Sequence, residues 1–353
     1  MPPRAIKAPT LDSLLPPILS QLPDAYSAHQ KCLTTTARLV HSNHHTIAIE
    51  ILFATSKELL KIGEGSSGVE LGVRMINVMS ECNISVDEKS RASITQLLAL
   101  TTPSGPWRKK LADSAVRWSQ QHGECPTGDP NLHQYIGELY YKDRAFPLAE
   151  QHLLGSGKRD AALTLAQMMF EWSEEGKLDP GPYAVRGTLP FLAQTPPSIL
   201  PALTFLTQFL SLLSSSSSSY HKNFITSLPS QTSYSLNEIH LTTSPTLNFL
   251  QLALITVQRA PAPGVSGNTA RGMDGGVPRE WDALCRRYSR NSGANGVIAQ
   301  KEVQEILMQI STEVFKAPPP RGAGGNDLLQ NLMGSLFGGG SGGGGGAGAI
   351  GGR

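Results

Sequence analysis

The sequence predicts an all-α protein, a right-handed solenoid of stacked helical hairpins of the tetratricopeptide-like type. Three observations predict this fold. Apolar residues recur with helical spacing nearly throughout residues 24–176, and patterns typical of β-strands are almost absent. Short polar breaks separate the helical stretches, among them GEGSSG, TPSGP, TGDP and GSGK. Alternation of helix and short break is typical of stacked helical hairpins.

One hairpin matches the repeat closely. In the stretch GELYYKDRAFPLAEQHLL, the glycine, tyrosine, alanine and large apolar positions of a tetratricopeptide repeat are occupied at the correct offsets by Gly137, Tyr140, Ala149 and Leu153. The small residues allow the two paired helices to approach closely. Because the period is irregular elsewhere, we expect a degenerate helical-repeat array.

The N-terminal half of the array is predicted over residues 24–176. It follows a segment, 1–23, that is predicted to be flexible and in which prolines interrupt the apolar residues, so that no signal peptide is expected. The clearest helix of this half is HTIAIEILFATSKELL, which places one apolar stripe along a single face. That stripe consists of Ile47, Ala48, Ile51, Leu52, Leu59 and Leu60.

The C-terminal half is predicted over residues 177–317. Its first helices contain PFLAQTPPSILPALTFLTQFLSLL, which is followed by a run of six serines. YSLNEIHL is the best strand candidate, because its apolar residues share no helical stripe, and it predicts a small β-hairpin near residues 234–243. Three further helices are predicted at TLNFLQLALITV, PREWDALCRRYS and AQKEVQEILMQISTEVF.

The chain ends in two parts of different character. Residues 318–337 are predicted to be a linker and a terminal amphipathic helix, and residues 338–353 a glycine-rich tail without fixed structure. Alone the short helix would be marginal in water, so its apolar side needs a cover, either the chain's own solenoid or a partner. That side consists of Leu328, Leu329, Leu332, Met333, Leu336 and Phe337.

Composition excludes several function classes. A net charge of +2 gives no global attraction for nucleic acid or anionic membranes. Basic residues cluster in REWDALCRRYSR, which favours a solvated helix face. No apolar run is long enough to span a bilayer, so we expect a cytosolic protein. The cysteines at 32, 82, 125 and 285 are too far apart for a zinc site or a disulfide framework, and buried free thiols are expected.

Two glycine motifs imitate nucleotide-binding sites. The stretch HLLGSGKRDA ends like a phosphate-binding loop, but His152 occupies the place of the first glycine and Arg159 that of the magnesium-binding hydroxyl. The glycines of GEGSSG satisfy G-x-G-x-x-G, but a helix precedes them where a dinucleotide fold needs a strand. We interpret both motifs as turns between helices and expect no nucleotide or other cofactor.

No catalytic or metal-binding constellation is found either. His44 and His45 are adjacent at a helix start, where they cannot share one face as metal ligands. Asp129 precedes Pro130 at a predicted helix start and is a capping candidate. Because no nucleophile, base and oxyanion donor assemble, the sequence predicts a non-catalytic protein.

The order of motifs resembles the Golgi to ER traffic protein 4 family, the cytosolic scaffold of the guided-entry pathway for tail-anchored membrane proteins. The resemblance spans about residues 24–338. The matching stretches are AYSAHQKCLTTTARLV, TIAIEIL, GSSGVELGVRMINV, ISVDEKS, TGDPNLHQYIGELYYKDRAFPLAEQHLLGS, TLNFLQLALITVQ and DLLQNLMGSLFGG. It implies an all-helical solenoid that binds two partners: the pathway's homodimeric targeting ATPase through the N-terminal half, and a ubiquitin-like protein through the C-terminal half. That second partner recruits the client-loaded tetratricopeptide co-chaperone, so contact with the client is indirect.

Carried over by position, the resemblance implies a set of ATPase-binding residues. The Y-x-A-H-Q motif gives Tyr26 and His29, and the basic position that follows is Arg38. A second position, basic in fungal members, is His41, and the acidic residue after the glycine-rich turn is Glu70 in place of aspartate. Histidine attracts an anion only when protonated, and glutamate has a longer reach than aspartate.

For the ubiquitin-like partner, the resemblance implies two groups of residues. The first is Leu247, Asn248, Phe249 and Leu250, from TLNFLQ, and the second is the apolar side of the terminal helix. Some of these apolar residues are expected to be core. The alternative function is that of a generic helical-repeat adaptor in another cytosolic complex, such as a proteasome-lid or trafficking assembly.

Overall fold

The computed structural model describes residues 9–216, 221, 224–226, 239–260, 276–291 and 296–316. Within these residues the protein is almost entirely helical, with one two-stranded sheet, so the predicted all-α class is confirmed. The predicted terminal helix and the glycine-rich tail lie outside the described residues. The chain divides into two compact units. The first contains the residues up to Gly176 and Thr207–Leu212, and the second contains Lys177–Leu206 and the residues from Leu213 onward.

The helices up to Gly176 are short to medium in length and follow one another after brief turns. They are α1 (Leu11–Leu14), α2 (Pro16–Leu19), α3 (Ala25–His41), α4 (His45–Lys61), α5 (Gly65–Glu81), α6 (Glu88–Leu100), α7 (Trp107–His122), α8 (Pro130–Lys142), α9 (Phe146–Ser156) and α10 (Arg159–Gly176). Neighbours along the chain contact one another most extensively, notably α4 with α5 and α8 with α9. This is the stacking of hairpins that the sequence predicts.

The rest of the chain adds further helices and the small sheet. They are α11 (Pro180–Leu192), α12 (Ile199–Ser215), β1 (Ile225–Thr226), β2 (Leu241–Thr242), α13 (Pro245–Gln258), α14 (Gly276–Asn291), a 3-10 turn (Val297–Ala299) and α15 (Lys301–Phe315). The two strands are antiparallel, with Ile225 opposite Thr242. β2 lies in the predicted hairpin region, near residues 234–243, but its partner strand comes from further upstream.

Residues 11–19 correct the prediction of a flexible N-terminal segment. They form α1 and α2, with Pro16 at the first position of α2, where its missing N–H costs no hydrogen bond. Ile18 is fully buried, and the Lys31 ammonium of α3 donates to the carbonyl of Pro17 at 2.8 Å. Burial of one apolar side chain and a link to α3 therefore order this part of the segment.

Local chemistry sets the helix boundaries. Asp129 accepts a hydrogen bond from the Leu132 amide at 2.8 Å and caps α8, as the sequence predicts. Helices α3, α5 and α8 are followed by left-handed residues, Asn43, Asn83 and Arg144, which turn the chain into the next helix. The stretch HLLGSGKRDA, which resembles a phosphate-binding loop, is a turn of the same kind. Gly157 (φ 62°) separates α9 from α10. Lys158 donates to the Asn131 side chain at 2.9 Å.

The α8–α9 hairpin shows why the repeat needs small residues. A Cβ atom on Gly137 would lie 2.8 Å from Leu153 Cγ and 3.1 Å from its backbone nitrogen. Gly68 of α5 is in the same situation against Leu60 of α4, at 2.7 Å. Real Cβ atoms do not approach so closely, so glycine fixes the distance between the paired helices.

A buried ion pair joins three successive helices of the first unit. The Arg108 guanidinium of α7 contacts the Asp143 carboxylate at the end of α8 and donates to the Thr101 hydroxyl, at the end of α6, at 3.0 Å. Arg108 is buried, so the contact is shielded from solvent. Loss of one partner would leave a buried unpaired charge, which is strongly destabilising.

We predict that Gly137→Ala destabilises the protein by about 1–3 kcal/mol, because the added methyl overlaps Leu153 and forces the two helices apart. Urea denaturation followed by circular dichroism measures the change in the free energy of unfolding. Gly276→Ala is the matched control, since a Cβ there meets nothing within 4 Å. Equal stability of the two variants would contradict this account of the hairpin.

Candidate partner-binding surfaces

One exposed face of α3 contains three of the five residues predicted to bind the ATPase. Tyr26 is 71% exposed, and Arg38 and His41 are also exposed. At 3.6 residues per turn these side chains fall within an arc of about 120°. The opposite face of α3 is buried and includes Ala28, Cys32 and Leu39. The three residues therefore share one solvent-facing side, and no ion pair to Arg38 is found among the described residues.

The other two predicted residues contact each other between α3 and α5. His29 is only 6% exposed, and its Nε2 lies 3.4 Å from a carboxylate oxygen of Glu70, which is itself exposed. The atoms are close enough for an ion pair when the imidazole is protonated, but no aligned hydrogen bond is formed. His29 therefore lies beneath the surface, while Glu70 remains available to a partner.

The five residues form two groups along α3. Tyr26, His29 and Glu70 lie at its N-terminal end, and Arg38 and His41 lie at its C-terminal end. From His29 to Arg38 the helix rises about 13 Å. The surface thus presents an aromatic and acidic group at one end and a basic group at the other.

The structure corrects three of the residues predicted for the second partner surface. Leu247, Phe249 and Leu250 of α13 are fully buried within the chain and belong to the core of the second unit. Asn248 is half-buried and faces β2. The other predicted residues, Leu328, Leu329, Leu332, Met333, Leu336 and Phe337, lie outside the described residues.

Two amide side chains of α13 hold the β2 segment. Asn248 donates to the Thr242 carbonyl at 2.9 Å and accepts from the Thr242 amide at 3.2 Å. Gln251 donates to the His240 carbonyl at 2.9 Å and accepts from its amide at 2.7 Å. Each amide therefore satisfies both backbone groups of one residue, as a neighbouring strand would.

This arrangement exposes two apolar residues that sequence reasoning did not select. Ile239 is 58% exposed and Leu241 is 46% exposed, whereas Thr242 is buried. In an extended chain, alternate residues face the same side, so Ile239 and Leu241 form one small apolar surface. Their alternation in EIHLT was the available signal, but it could not show which side faces solvent.

A buried histidine pair was also missed. Nδ1 of His133 on α8 lies 3.1 Å from Nδ1 of His152 on α9, and His133 Nε2 lies 3.0 Å from the Thr127 carbonyl. Burial lowers the pKa of His133 below its ordinary value. Burial, together with the neighbouring His133, lowers the pKa of His152 to about 3. The pair is therefore neutral at physiological pH.

The titratable side chains of the described structure do not assemble into a metal site. Within the described ranges, no three His, Cys, Asp or Glu side chains are placed to hold a metal ion. The four cysteines are free, but only Cys32 is buried, and Cys82, Cys125 and Cys285 are partly accessible, which corrects the expectation of four buried thiols. No described helix has the length and apolar character needed to cross a membrane.

Comparisons with known proteins agree with this architecture. The sequence model of the family described as "Golgi to ER traffic protein 4" matches residues 42–337. Golgi to ER traffic protein 4 of Aspergillus fumigatus is 28% identical over 329 residues, which cover 89% of this chain and 86% of the relative. The Homo sapiens homologue is 24% identical, with 89% of this chain and 83% of the relative covered. The crystal structure of C. therm. Get4 superposes with a TM-score of 0.71 at 27% identity, covering 94% of this chain and 96% of that one.

Because His133 and His152 are buried in their neutral forms, we predict that the folded protein loses stability in mild acid. The folded state holds both pKa values below the ordinary 6.5, so the unfolded chain binds protons more readily. The free energy of unfolding should therefore be fully retained above pH 6.5 and fall below it, by up to about 1.4 kcal/mol per pH unit for each histidine. Urea denaturation at a series of pH values measures this slope. His152→Gln should make the slope shallower, and an unchanged slope would exclude His152 as its source.

Proposed function

Because the chain belongs to the Golgi to ER traffic protein 4 family, we propose that it is a non-catalytic scaffold in the post-translational targeting of tail-anchored membrane proteins to the ER. The observation that carries the proposal is the extent of the family match, which includes α4 to α15 and therefore residues of both compact units. A scaffold needs at least two binding surfaces on one chain, and candidate surfaces lie in both units.

The N-terminal surface is proposed to bind the pathway's homodimeric targeting ATPase. Tyr26, Arg38, His41 and Glu70 are its accessible residues, and His29 supports Glu70 from below. Arg38 is exposed and offers a cation at the C-terminal end of α3, while Glu70 on α5 offers an anion beside His29, at the other end. Exposed charges of this kind steer encounter and orientation more than they contribute affinity, so salt should weaken the complex.

The C-terminal surface is proposed to bind a ubiquitin-like protein. Its described part consists of Ile239 and Leu241, which the amides of Asn248 and Gln251 hold in an exposed extended conformation. Exposed apolar residues flanked by polar ones are typical of partner contacts. Asn248 thus contributes to this surface indirectly, by binding the backbone of β2. Its neighbours Leu247, Phe249 and Leu250 are buried and stabilise the core beneath it.

In the proposed mechanism, one chain binds the ATPase and the ubiquitin-like protein at the same time, and this promotes transfer of the client. The ubiquitin-like partner recruits a tetratricopeptide co-chaperone that carries the client, and the N-terminal surface holds the ATPase that receives it. Tethering both to one chain raises their effective concentration and makes hand-off nearly intramolecular. The scaffold then needs no nucleotide, metal or other cofactor of its own, and it acts in the cytosol without insertion into the membrane.

Pull-down from purified components tests this proposal against that of an adaptor in a different complex. Immobilised chain is incubated with the ubiquitin-like protein and the ATPase, separately and together, at low and at physiological salt. Retention of both, with the ATPase more sensitive to salt, is expected. If neither is retained at low salt, the scaffold proposal is wrong and the generic adaptor is favoured.

We predict that Arg38→Glu weakens ATPase binding about tenfold, because it places an anion where the partner is proposed to meet a cation. Isothermal titration calorimetry at two salt concentrations measures the change. Arg117→Glu is the matched control, since Arg117 is an exposed residue of α7 and the substitution changes the net charge equally. A folded Arg38→Glu variant with unchanged affinity would remove Arg38 from the site.

A second variant tests the C-terminal surface. Leu241→Asp should reduce affinity for the ubiquitin-like protein about tenfold or more, because it places a charge in the apolar surface. Leu200→Asp, on the 58% exposed Leu200 of α12, introduces the same charge outside that surface and should change affinity less than about twofold. Equal effects of the two substitutions would exclude Leu241 as a contact.

A further inference from the structure

Helix α14 presents arginines on its solvent-facing side. Arg279, Arg286, Arg287 and Arg290 are all exposed, whereas Trp281 on the opposite side is buried. At 3.6 residues per turn, Arg279, Arg286 and Arg290 fall within an arc of about 40° and span about 16 Å along the helix. From the sequence alone, a solvated helix face is expected here. The structure shows in addition that these three arginines form one straight row, the arginine stripe.

The charge of the arginine stripe is only partly neutralised by the described residues. Arg286 contacts the Asp282 carboxylate of its own helix, but no ion pair to Arg279 or Arg290 is found in the described part of the chain. Arg286 and Arg290 are four residues apart, so their like charges repel each other and destabilise the free helix. An anion bound along the stripe would offset this repulsion.

The helix dipole accounts for one end of the stripe and not for the other. A cation is favourable in the last turn of a helix, where Arg290 lies, because the C-terminus carries partial negative charge. Arg279 lies in the first turn of α14, where the partial charge is positive and a cation is unfavourable. Complementing the dipole therefore does not explain a row of arginines that extends over the whole helix.

The sequence contains no acidic segment that could cover the stripe from within the chain. Outside the described residues there are three acidic residues, Glu238, Asp274 and Asp327, against six basic ones. The three acidic residues are far apart in the sequence, so no part of these stretches carries a run of negative charge. A matching row of carboxylates is therefore available only from another molecule.

An open cleft of about 330 Å³ lies beside the stripe, between α14 and α15, and Arg286 and Arg290 are among the residues that line it. Two other polar side chains of its lining are already engaged. Gln304 donates to Ser289 Oγ at 2.8 Å, and Ser289 donates to the Cys285 carbonyl at 2.7 Å. The exposed guanidinium groups are thus the accessible donors on this side of the helix.

The shape of the stripe favours one class of anion. A single phosphate needs donors that converge on one point, whereas Arg279 and Arg290 lie at opposite ends of α14. Exposed carboxylates, Glu280 and Asp282, flank the row on its two sides, so a broad anionic surface such as a membrane would also meet like charge. Single-stranded nucleic acid binds by stacking on aromatic side chains, and no aromatic side chain of α14 is exposed. A narrow row of carboxylates fits best.

We propose that the arginine stripe of α14 is a docking surface for an acidic helix of a partner protein. A helix laid alongside α14, with carboxylates at positions i, i+4, i+7 and i+11 on one side, matches the length and spacing of the stripe. The planar guanidinium of arginine binds a carboxylate through two parallel hydrogen bonds, which favours defined positions over diffuse attraction. The stripe shares no residue with the surfaces proposed for the ATPase and the ubiquitin-like protein, and it does not depend on the function proposed for them.

Fluorescence anisotropy with the full-length chain tests the proposal. The probe is a labelled, helix-stabilised synthetic peptide with glutamates at positions i, i+4, i+7 and i+11. The matched control peptide has the same composition, with its glutamates distributed around the helix. The first peptide should bind at least about fivefold more tightly, and its affinity should fall between low and physiological salt. Equal affinity of the two peptides would exclude a row of defined carboxylate positions.

Charge reversal on the protein locates the binding site. Arg279→Glu with Arg290→Glu should weaken binding of the first peptide about tenfold or more, and the milder Arg279→Gln with Arg290→Gln about threefold. Lys110→Glu with Arg117→Glu is the matched control, since both residues are exposed on α7 and the net charge changes equally. This control should change the affinity less than about twofold. Circular dichroism checks that each variant is folded, and equal effects of the two charge reversals would overturn the proposal.

Two further probes distinguish an acidic helix from other polyanions. Vesicles of phosphatidylcholine and phosphatidylserine in equal parts, and a single-stranded oligoribonucleotide, are titrated into the same full-length chain. Weaker binding of both than of the first peptide is expected. If either binds more tightly than the peptide, and Arg279→Glu with Arg290→Glu abolishes that binding, the stripe is a site for that polyanion and the acidic helix is excluded.

Discussion

The close approach of paired helices is the constraint on which the described first unit depends. A helix without a covering sheet must bury its apolar stripe against another helix, and the distance between them is set by the smallest residue at the contact. Glycine provides such a contact at Gly68 against Leu60 and at Gly137 against Leu153. Because α5 packs on α4 and also contacts α3, the first of these contacts helps to define where Glu70 lies relative to His29 and Tyr26. The arrangement of the proposed ATPase surface is thus a consequence of helix packing.

Buried polar side chains add specificity to this packing. Arg108 connects the ends of α6 and α8 to α7, and the His133–His152 pair lies between α8 and α9. In the second unit, Asn248 and Gln251 satisfy the backbone of the β2 segment. A buried polar group stabilises a fold only when its partner is in place, so each of these contacts favours one register of neighbouring elements over others. Because Asn248 and Gln251 bind the backbone of Thr242 and His240, the alternate residues Ile239 and Leu241 are left facing solvent.

The candidate surfaces differ in chemistry. The α3–α5 surface is charged and aromatic, which suits an encounter that depends on salt. The β2 surface is small and apolar. The candidate surfaces consist of exposed side chains, whereas the buried pair His133 and His152, whose pKa values burial lowers, is enclosed between helices. This distribution agrees with a scaffold of the Golgi to ER traffic protein 4 family.

The sequence by itself determined the helical class, the approximate boundaries of α4, α13, α14 and α15, the close approach at Gly137, the Asp129 cap and the turn in GSGK, because each depends on residues near one another in the chain. Its motifs also identified the family. Only the tertiary structure decided that His29 lies beneath Glu70, that Leu247, Phe249 and Leu250 are core, and that Ile239 and Leu241 face solvent. It also ordered α1 and α2, which the prolines had suggested to be flexible. Periodicity shows which side of an element is apolar, but whether that side is covered depends on residues distant in the chain, and a one-dimensional pattern does not contain this information.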